Sequence, residues 1–325
     1  MAFKKIKSRR IAVLAKIEPT EGVDSGPVGA VDAIKTRPIT VTVDNVVLTP
    51  ENITPFLSLE PKIIGRKIIQ ISFDVDWKGN DLIQSGLIAD HVEIDVLLRI
   101  CGMKAVYTPE TSLGAGDGKV EYNPISDDVD EETATLHVFT DGLKYELVAA
   151  KATWDLNAAA GALSAKTFNI SGKFVSVTDE ALPSVTLVDT VARQVQKTNF
   201  TFHGIADCIQ ALAVSLANSV EEVQCTNDED GLQGFTISSR DPNGSIDPLQ
   251  TLEADHPFFA DLVAAKQEPL HFEVGDTPGN IVEIDMPKAQ SISIAQGERA
   301  GLRTYDISLS FNRDVGDDEI ILTFR

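Results

Sequence analysis

Two stretches far apart in the chain carry the same strand pattern, and this repetition limits the fold more than any single residue does. Thr167-Phe168-Asn169-Ile170-Ser171-Gly172-Lys173-Phe174 matches Thr304-Tyr305-Asp306-Ile307-Ser308-Leu309-Ser310-Phe311, and Lys151-Ala152 and Lys288-Ala289 precede them at the same offset. Ala89-Asp90-His91 leads into a short apolar run with Leu97 and Leu98, as Ala254-Asp255-His256 leads into one with Leu262 and Val263. The copies lie too far apart for a solenoid or a propeller blade, so they imply two tandem domains of like design. Between these landmarks the first copy is longer. The surplus falls on 105–132, where Gly114, Gly116 and Gly118 and the acids Asp127, Asp128, Asp130, Glu131 and Glu132 have the composition of a solvated loop with a short hairpin.

Strand periodicity dominates. In 69–77 the apolar Ile69, Ile71, Phe73, Val75 and Trp77 alternate with Gln70, Ser72, Asp74 and Asp76, a period of two that marks a half-buried strand with one wet face. Helices are expected only over 91–100 and 257–265. Pro50, Pro55 and Pro61 suit a projecting hairpin or loop rather than a central strand. From Ile11 to Ile34 no period is sustained, and Pro19, Gly22, Gly26, Pro27 and Gly29 punctuate the chain. These patterns divide the chain into an extended N-terminal arm (1–34), a first domain (35–181, with the long loop 105–132), a linker (182–197) and a second domain (198–325). The expected class is mainly β, two tandem β-sandwich or barrel domains, each with one short flanking α-helix.

Of the 325 residues, 43% are hydrophobic and 24% charged, which argues against disorder. No segment reaches the ~20 consecutive apolar residues of a membrane span. The basic start lacks the apolar core and cleavage site of a secretory signal, so assembly in a cytoplasm is expected. Three scattered cysteines make neither a disulfide framework nor a paired zinc site. The net charge is −21, although Lys4, Lys5, Lys7, Arg9, Arg10 and Lys16 all precede the first acid, Glu18. Such an acidic body repels phosphate, which speaks against sequence-specific nucleic-acid binding through a basic face.

Chemistry-bearing constellations are sparse. His91 and Asp95 share a helix face at four-residue spacing but Glu93 does not, and two ligands without a third make a poor metal site. In the second copy Ala260 stands where Asp95 would be. The glycines at 114–118 lack the Lys-Ser/Thr of a phosphate loop. The acids at 127–132 and 228–230 lack the alternating oxygens of a calcium loop. No GxSxG motif occurs, and His137 and His271 are explained by equivalent strand positions in the two copies. No catalytic residue, metal or cofactor is therefore expected, and Trp77 and Trp154, both in strand patterns, are expected in the core.

Several segments in order along the chain resemble one family. They are Leu14-Ala15-Lys16-Ile17-Glu18-Pro19-Thr20-Glu21-Gly22 followed by Asp24 and Pro27, then Leu98-Arg99-Ile100-Cys101-Gly102, Tyr107-Thr108-Pro109, Ala181-Leu182-Pro183, Thr277-Pro278-Gly279-Asn280, and Asp317-Asp318-Glu319-Ile320-Ile321-Leu322-Thr323-Phe324. Together they resemble the major tail tube proteins of long-tailed bacteriophages, in the larger form that carries two tube domains. The resemblance implies a structural virion protein whose rings stack into the channel for genome ejection. Three chains would make each pseudo-hexameric ring.

The partners it implies are further copies of the chain, tail completion and tail tip proteins, and passing double-stranded DNA without specific binding. The place is the virion tail, after assembly in the host bacterial cytoplasm. On this reading Asp74, Asp76, Asp155 and Asp306 are candidate lumen-facing acids, although alternation alone assigns them equally well to plain solvent. A duplex carries about one charge per ~1.7 Å, so an acidic wall lets it slide where a basic one would hold it. Lys4, Lys5, Lys7, Arg9 and Arg10 are candidate inter-ring contacts. A second reading is a virion-associated β-sandwich module that binds a sugar or receptor, for which an exposed aromatic platform is expected.

Overall fold

The computed structural model describes residues 5–79, 92–109, 118–127, 129–228 and 230–325. Among these residues the chain is mainly β, with a large antiparallel sheet and two short helices. Its first half runs β1 (Ile11–Ile17), β2 (Ala33–Ile34), β3 (Ile39–Leu48), β4 (Ile63–Asp76), α1 (Asp95–Ile100), β5 (Met103–Thr108), β6 (Lys119–Pro124), β7 (Ala134–Thr140), β8 (Leu143–Ala159) and β9 (Ala165–Asp179). The second half runs β10 (Asn199–Phe202), β11 (Ile209–Ser215), β12 (Asn218–Gln224), β13 (Leu232–Arg240), β14 (Asn243–Pro248), α2 (Phe258–Val263), β15 (Gln267–Val274), β16 (Val282–Arg299), β17 (Leu302–Asn312) and β18 (Ile321–Phe324).

Strand pairing follows one order in both halves. The first pairs as β1-β7-β8-β9-β4-β3. The second pairs as β10-β15-β16-β17-β14-β11. The helix falls at the same step of each, before β7 and before β15, and the echoed octapeptides occupy β9 and β17. The Lys-Ala echo is not equivalent in register: Lys151 pairs with Ser171, whereas Lys288 pairs with Asn312. The connections explain this, because β8 and β9 close at Asn157 and Ala165, and β16 and β17 at Arg299 and Leu302.

Alternation puts Ile71, Phe73 and Val75 of β4, Trp154 and Leu156 of β8, and Phe168 and Ile170 of β9 on one face. They join a single core cluster that also takes Leu212, Val214, Ile246, Ile307 and Leu309 from the second half. Trp77 stacks on Phe272 at 6.3 Å, binding the halves through aromatic contact. Both tryptophans are thus core residues, as their strand patterns imply.

Three expectations need correction. The supposed arm 1–34 contains β1, paired along its whole length with β7, and Val13, Leu14 and Ala15 are buried. A strand buried on both sides has no polar alternation to reveal it. The stretch 105–132, expected as a solvated loop with a short hairpin, does carry a hairpin, β5–β6, but it belongs to the core: Val120 and Tyr122 are buried and β6 pairs with β18. Its acids are anchors: Asp130 meets Lys104 at 2.7 Å, Glu131 meets the buried Lys151 at 2.7 Å, and Glu132 meets Arg99. Gly114, Gly116 and Asp128 lie outside the described residues. The expected linker 182–197 carries no strand and is docked on the first half: Thr186 N donates to Gly29 O at 2.9 Å, and Lys78 Nζ donates to Thr190 O at 3.1 Å. The first helix begins at Asp95, later than expected, and His91 lies outside the described residues.

Candidate functional site

Directly paired residues of an antiparallel ladder point to the same face, so the register decides which polar residues sit together. One row runs Asp74–Thr167–Asp155–Ser215–Asn243–Ser310 across β4, β9, β8, β11, β14 and β17. The next runs Asp76–Ala165–Asn157–Ala213–Ser245–Ser308 over the same strands. Asp306 is two residues beyond Ser308 and shares its face. The four acids singled out in the sequence therefore lie on one continuous polar face, opposite the core. Their neighbours there are small: serine, threonine, asparagine and alanine.

The four acids are not equivalent. Asp76 Oδ1 accepts two hydrogen bonds from Arg37, Nε at 3.0 Å and Nη2 at 2.7 Å, which offsets its charge. Among the described residues Asp74 accepts only a neutral bond, from Thr167 Oγ1 at 2.7 Å, and Asp155 accepts a long one from Asn169 Nδ2 at 3.4 Å. Among the described residues, Asp74, Asp155 and Asp306 have no cationic partner at ion-pair distance. Basic groups at the margins of the face are already paired, Lys173 with Asp230 at 3.2 Å and Arg299 with Asp247 at 3.1 Å.

The two halves join at a seam within this face. Ala211–Ser215 of β11 pair with Asp155–Ala159 of β8, on the same side of β8 that β7 occupies further along. Asn218 locks the seam, its Nδ2 donating to Cys101 O at 2.7 Å and Ala152 O at 3.0 Å. Each partner in the seam has a counterpart in the other half. β3 holds the position of β11 but, among the described residues, pairs only with β4. β16 holds the position of β8, and beyond Gln290, where β15 ends, it is paired on the β17 side alone among the described residues.

The hairpins beside these strands show the same asymmetry. β12 and β13 grow out of β11 and β14 and bury Leu232 and Phe235 against Ile68 of β4. The equivalent hairpin tip between β3 and β4 leaves Ile53, Phe56, Leu57, Leu59, Ile63 and Ile64 exposed.

Of the candidate basic contacts, Lys5, Lys7 and Arg9 are exposed, while Lys4 lies outside the described residues. Arg10 is committed internally, its Nη1 donating to Asp141 Oδ1 at 2.7 Å in the β7–β8 turn. Around α1, Asp95 accepts from Tyr122 Oη at 2.7 Å, and Glu93 forms a buried ion pair with Lys78 at 2.8 Å. His137 and His271 occupy β7 and β15, in opposite surroundings. Burial, then Lys144, pushes His137 below the ordinary imidazole range, whereas the hydrogen bond to Asp285 at 2.6 Å raises His271 above it.

Two features were missed in the sequence. Lys166 is fully buried, its Nζ 3.5 Å from the Trp154 ring centroid and without a hydrogen-bond partner, and burial holds its pKa well below the usual lysine value. Parity was the available signal, since Lys166 precedes Phe168 and Ile170 by even steps and must face the core. The second is the cluster His203, His256 and Asp261, whose members are brought together only by the fold. The sequence matches no protein-family model, and no curated protein matches it.

Proposed function

We propose that this chain is a structural subunit that polymerises through its sheet edges into stacked closed rings, a tube of the kind that delivers a phage genome. The observation that carries this reading is the internal seam. β11 completes the edge of β8 within the chain, and the equivalent edges, of β3 and of the far part of β16, have no strand partner among the described residues. Repeating the seam between chains sets β3 of one copy against β16 of the next. This contact is head-to-tail and removes both exposed edges; it makes a ring where its rotation closes, which is the arrangement proposed here. The edges alone do not fix the copy number; three chains per ring follows the two-domain tail tube proteins that the sequence resembles.

The exposed hairpin tip fits the same scheme. Its counterpart, β12–β13, is buried on the neighbouring half, so the tip of β3–β4 would bury on the neighbouring chain. Fully burying Ile53, Phe56 and Leu57 contributes about 1.5–3 kcal/mol each, comparable with much of the roughly 4–15 kcal/mol cost of association. With four strands of each half in the wall, three chains at ~4.8 Å per strand and a tilt of roughly 40° enclose a barrel about 50 Å across. That leaves room for a duplex inside side chains. The polar face with Asp74, Asp155 and Asp306 is then the lining, and Lys5, Lys7 and Arg9 remain available between rings.

Proline at an outward-facing N–H blocks edge pairing. Proline scanned over 41–45 of β3, or over 293–297 of β16, should yield variants with native circular dichroism that no longer form rings or filaments by electron microscopy. Mixing a β3-blocked chain with a β16-blocked chain should give a heterodimer and nothing larger. Filaments from either folded variant alone, or no association of the mixture, would overturn the proposal.

A further inference from the structure

We infer that His203, His256 and Asp261 form a binding site for one divalent transition-metal ion of the zinc class, built into the second half and independent of the assembly reading. One ligand atom from each lies within 4.8 Å of the others. His203 follows β10, His256 precedes α2 and Asp261 is inside α2, so the site would clamp the β10 end to the helix. All three side chains are at least nine-tenths buried.

Proton placement is what points to a cation. His203 Nε2 lies 3.1 Å from the Ala289 carbonyl, which only accepts, so Nε2 carries a proton. In the neutral ring Nδ1 is then a lone pair, yet it faces Asp261 Oδ2 at 2.9 Å. Two acceptors at that distance need a cation or an extra proton between them. His256 repeats the problem: it is 1% exposed, and neither ring nitrogen has an aligned hydrogen-bond partner. Asp207 Oδ2 stands 2.7 Å from His256 Nδ1 but off hydrogen-bond geometry, and is itself without a partner. A small rotation makes Asp207 the carboxylate that orients a metal-bound imidazole.

The surroundings fit an N/O donor set. An ion about 2.0–2.1 Å from His203 Nδ1 and Asp261 Oδ2 reaches a tetrahedral angle when they separate to about 3.3 Å, a relaxation of a few tenths of an ångström. Two imidazoles and a carboxylate suit zinc better than calcium or magnesium, which take oxygen ligands. Aromatic stacking holds the rings: Phe202 lies 3.9 Å from His203, and Phe258 lies 3.8 Å from His256, centroid to centroid. Lys266 Nζ is also 3.4 Å from Asp261 Oδ2, but its side chain is 37% exposed and can turn to solvent when an ion enters.

The test uses the full-length chain, stripped with chelator and then given Zn²⁺ or Co²⁺. Expected are one equivalent of Zn²⁺ retained after dialysis, a rise in Tm of about 5 °C or more, and visible absorption bands of low-symmetry Co²⁺. The isosteric Asp261→Asn and the variant His256→Gln should fold, as judged by circular dichroism, and lose both the retained zinc and the Tm rise. No uptake by the folded wild-type chain would overturn the site, leaving a protonated His203 paired with Asp261. Undiminished uptake by both folded variants would overturn it as well.

Discussion

Glu18 shows how one side chain can hold a strand that lacks any amphipathic pattern. Only 7% exposed, its carboxylate accepts from Gly22 N at 2.8 Å, Thr133 Oγ1 at 2.7 Å, Thr135 Oγ1 at 2.9 Å and Ala149 N at 2.9 Å. Ala149 has φ 52 at a register shift in β8, so Glu18 ties the end of β1 to the bend of the central strand. Glu18→Ala leaves these donors unsatisfied and should cost about 3 kcal/mol in urea unfolding. Lys166 works the other way. Because burial weakens its hold on a proton, the native state binds fewer protons than the unfolded chain between the lowered pKa and the ordinary 10.5. Stability should rise with pH across that window. Lys166→Met should stabilise the fold by about 1–3 kcal/mol at neutral pH and flatten that slope, measured by denaturation at several pH values.

At the scale of elements, what was legible followed from local pattern. β4, β9 and β17 alternate cleanly, the prolines at 50, 55 and 61 mark the hairpin tip, and parity placed Asp74, Asp76, Asp155 and Asp306 on polar positions. That these positions form one face depends on register between distant strands, which no local pattern carries. β1 was hidden because its residues 12–15 are buried on both sides, and the burial of β6 in the expected hairpin was hidden because its neighbours are acids whose lysine and arginine partners are far away in sequence. Asp261 was missed because the His91–Asp95 spacing was carried over to His256–Ala260. His203 offered no signal at all, its partners being on other elements. The apolar tip gives a prediction at this scale. Phe56→Ser, Leu57→Ser and Leu59→Ser together should leave monomer Tm within about 2 °C, since these side chains are exposed, yet raise the critical concentration for assembly at least tenfold by light scattering.

For the whole molecule, charge and sheet geometry act together. A net charge of −21 keeps single chains apart at low ionic strength, and in the proposed ring the acids of the polar face without a cationic partner would give the wall the sign that repels a duplex. Replacing Asp74, Asp155 and Asp306 with lysine should leave assembly intact but make the tubes retain linear duplex DNA, with retention falling steeply as salt rises. Wild-type tubes should retain none by cosedimentation. The measurement that bears most directly on the account is a reconstruction of the assembled particle by electron cryomicroscopy. It should show β3 of one chain antiparallel to the 291–299 stretch of β16 in the next, with the Asp74–Thr167–Asp155 row facing the bore. Particles in which both edges stay unpaired, or in which that row faces outward, would contradict it.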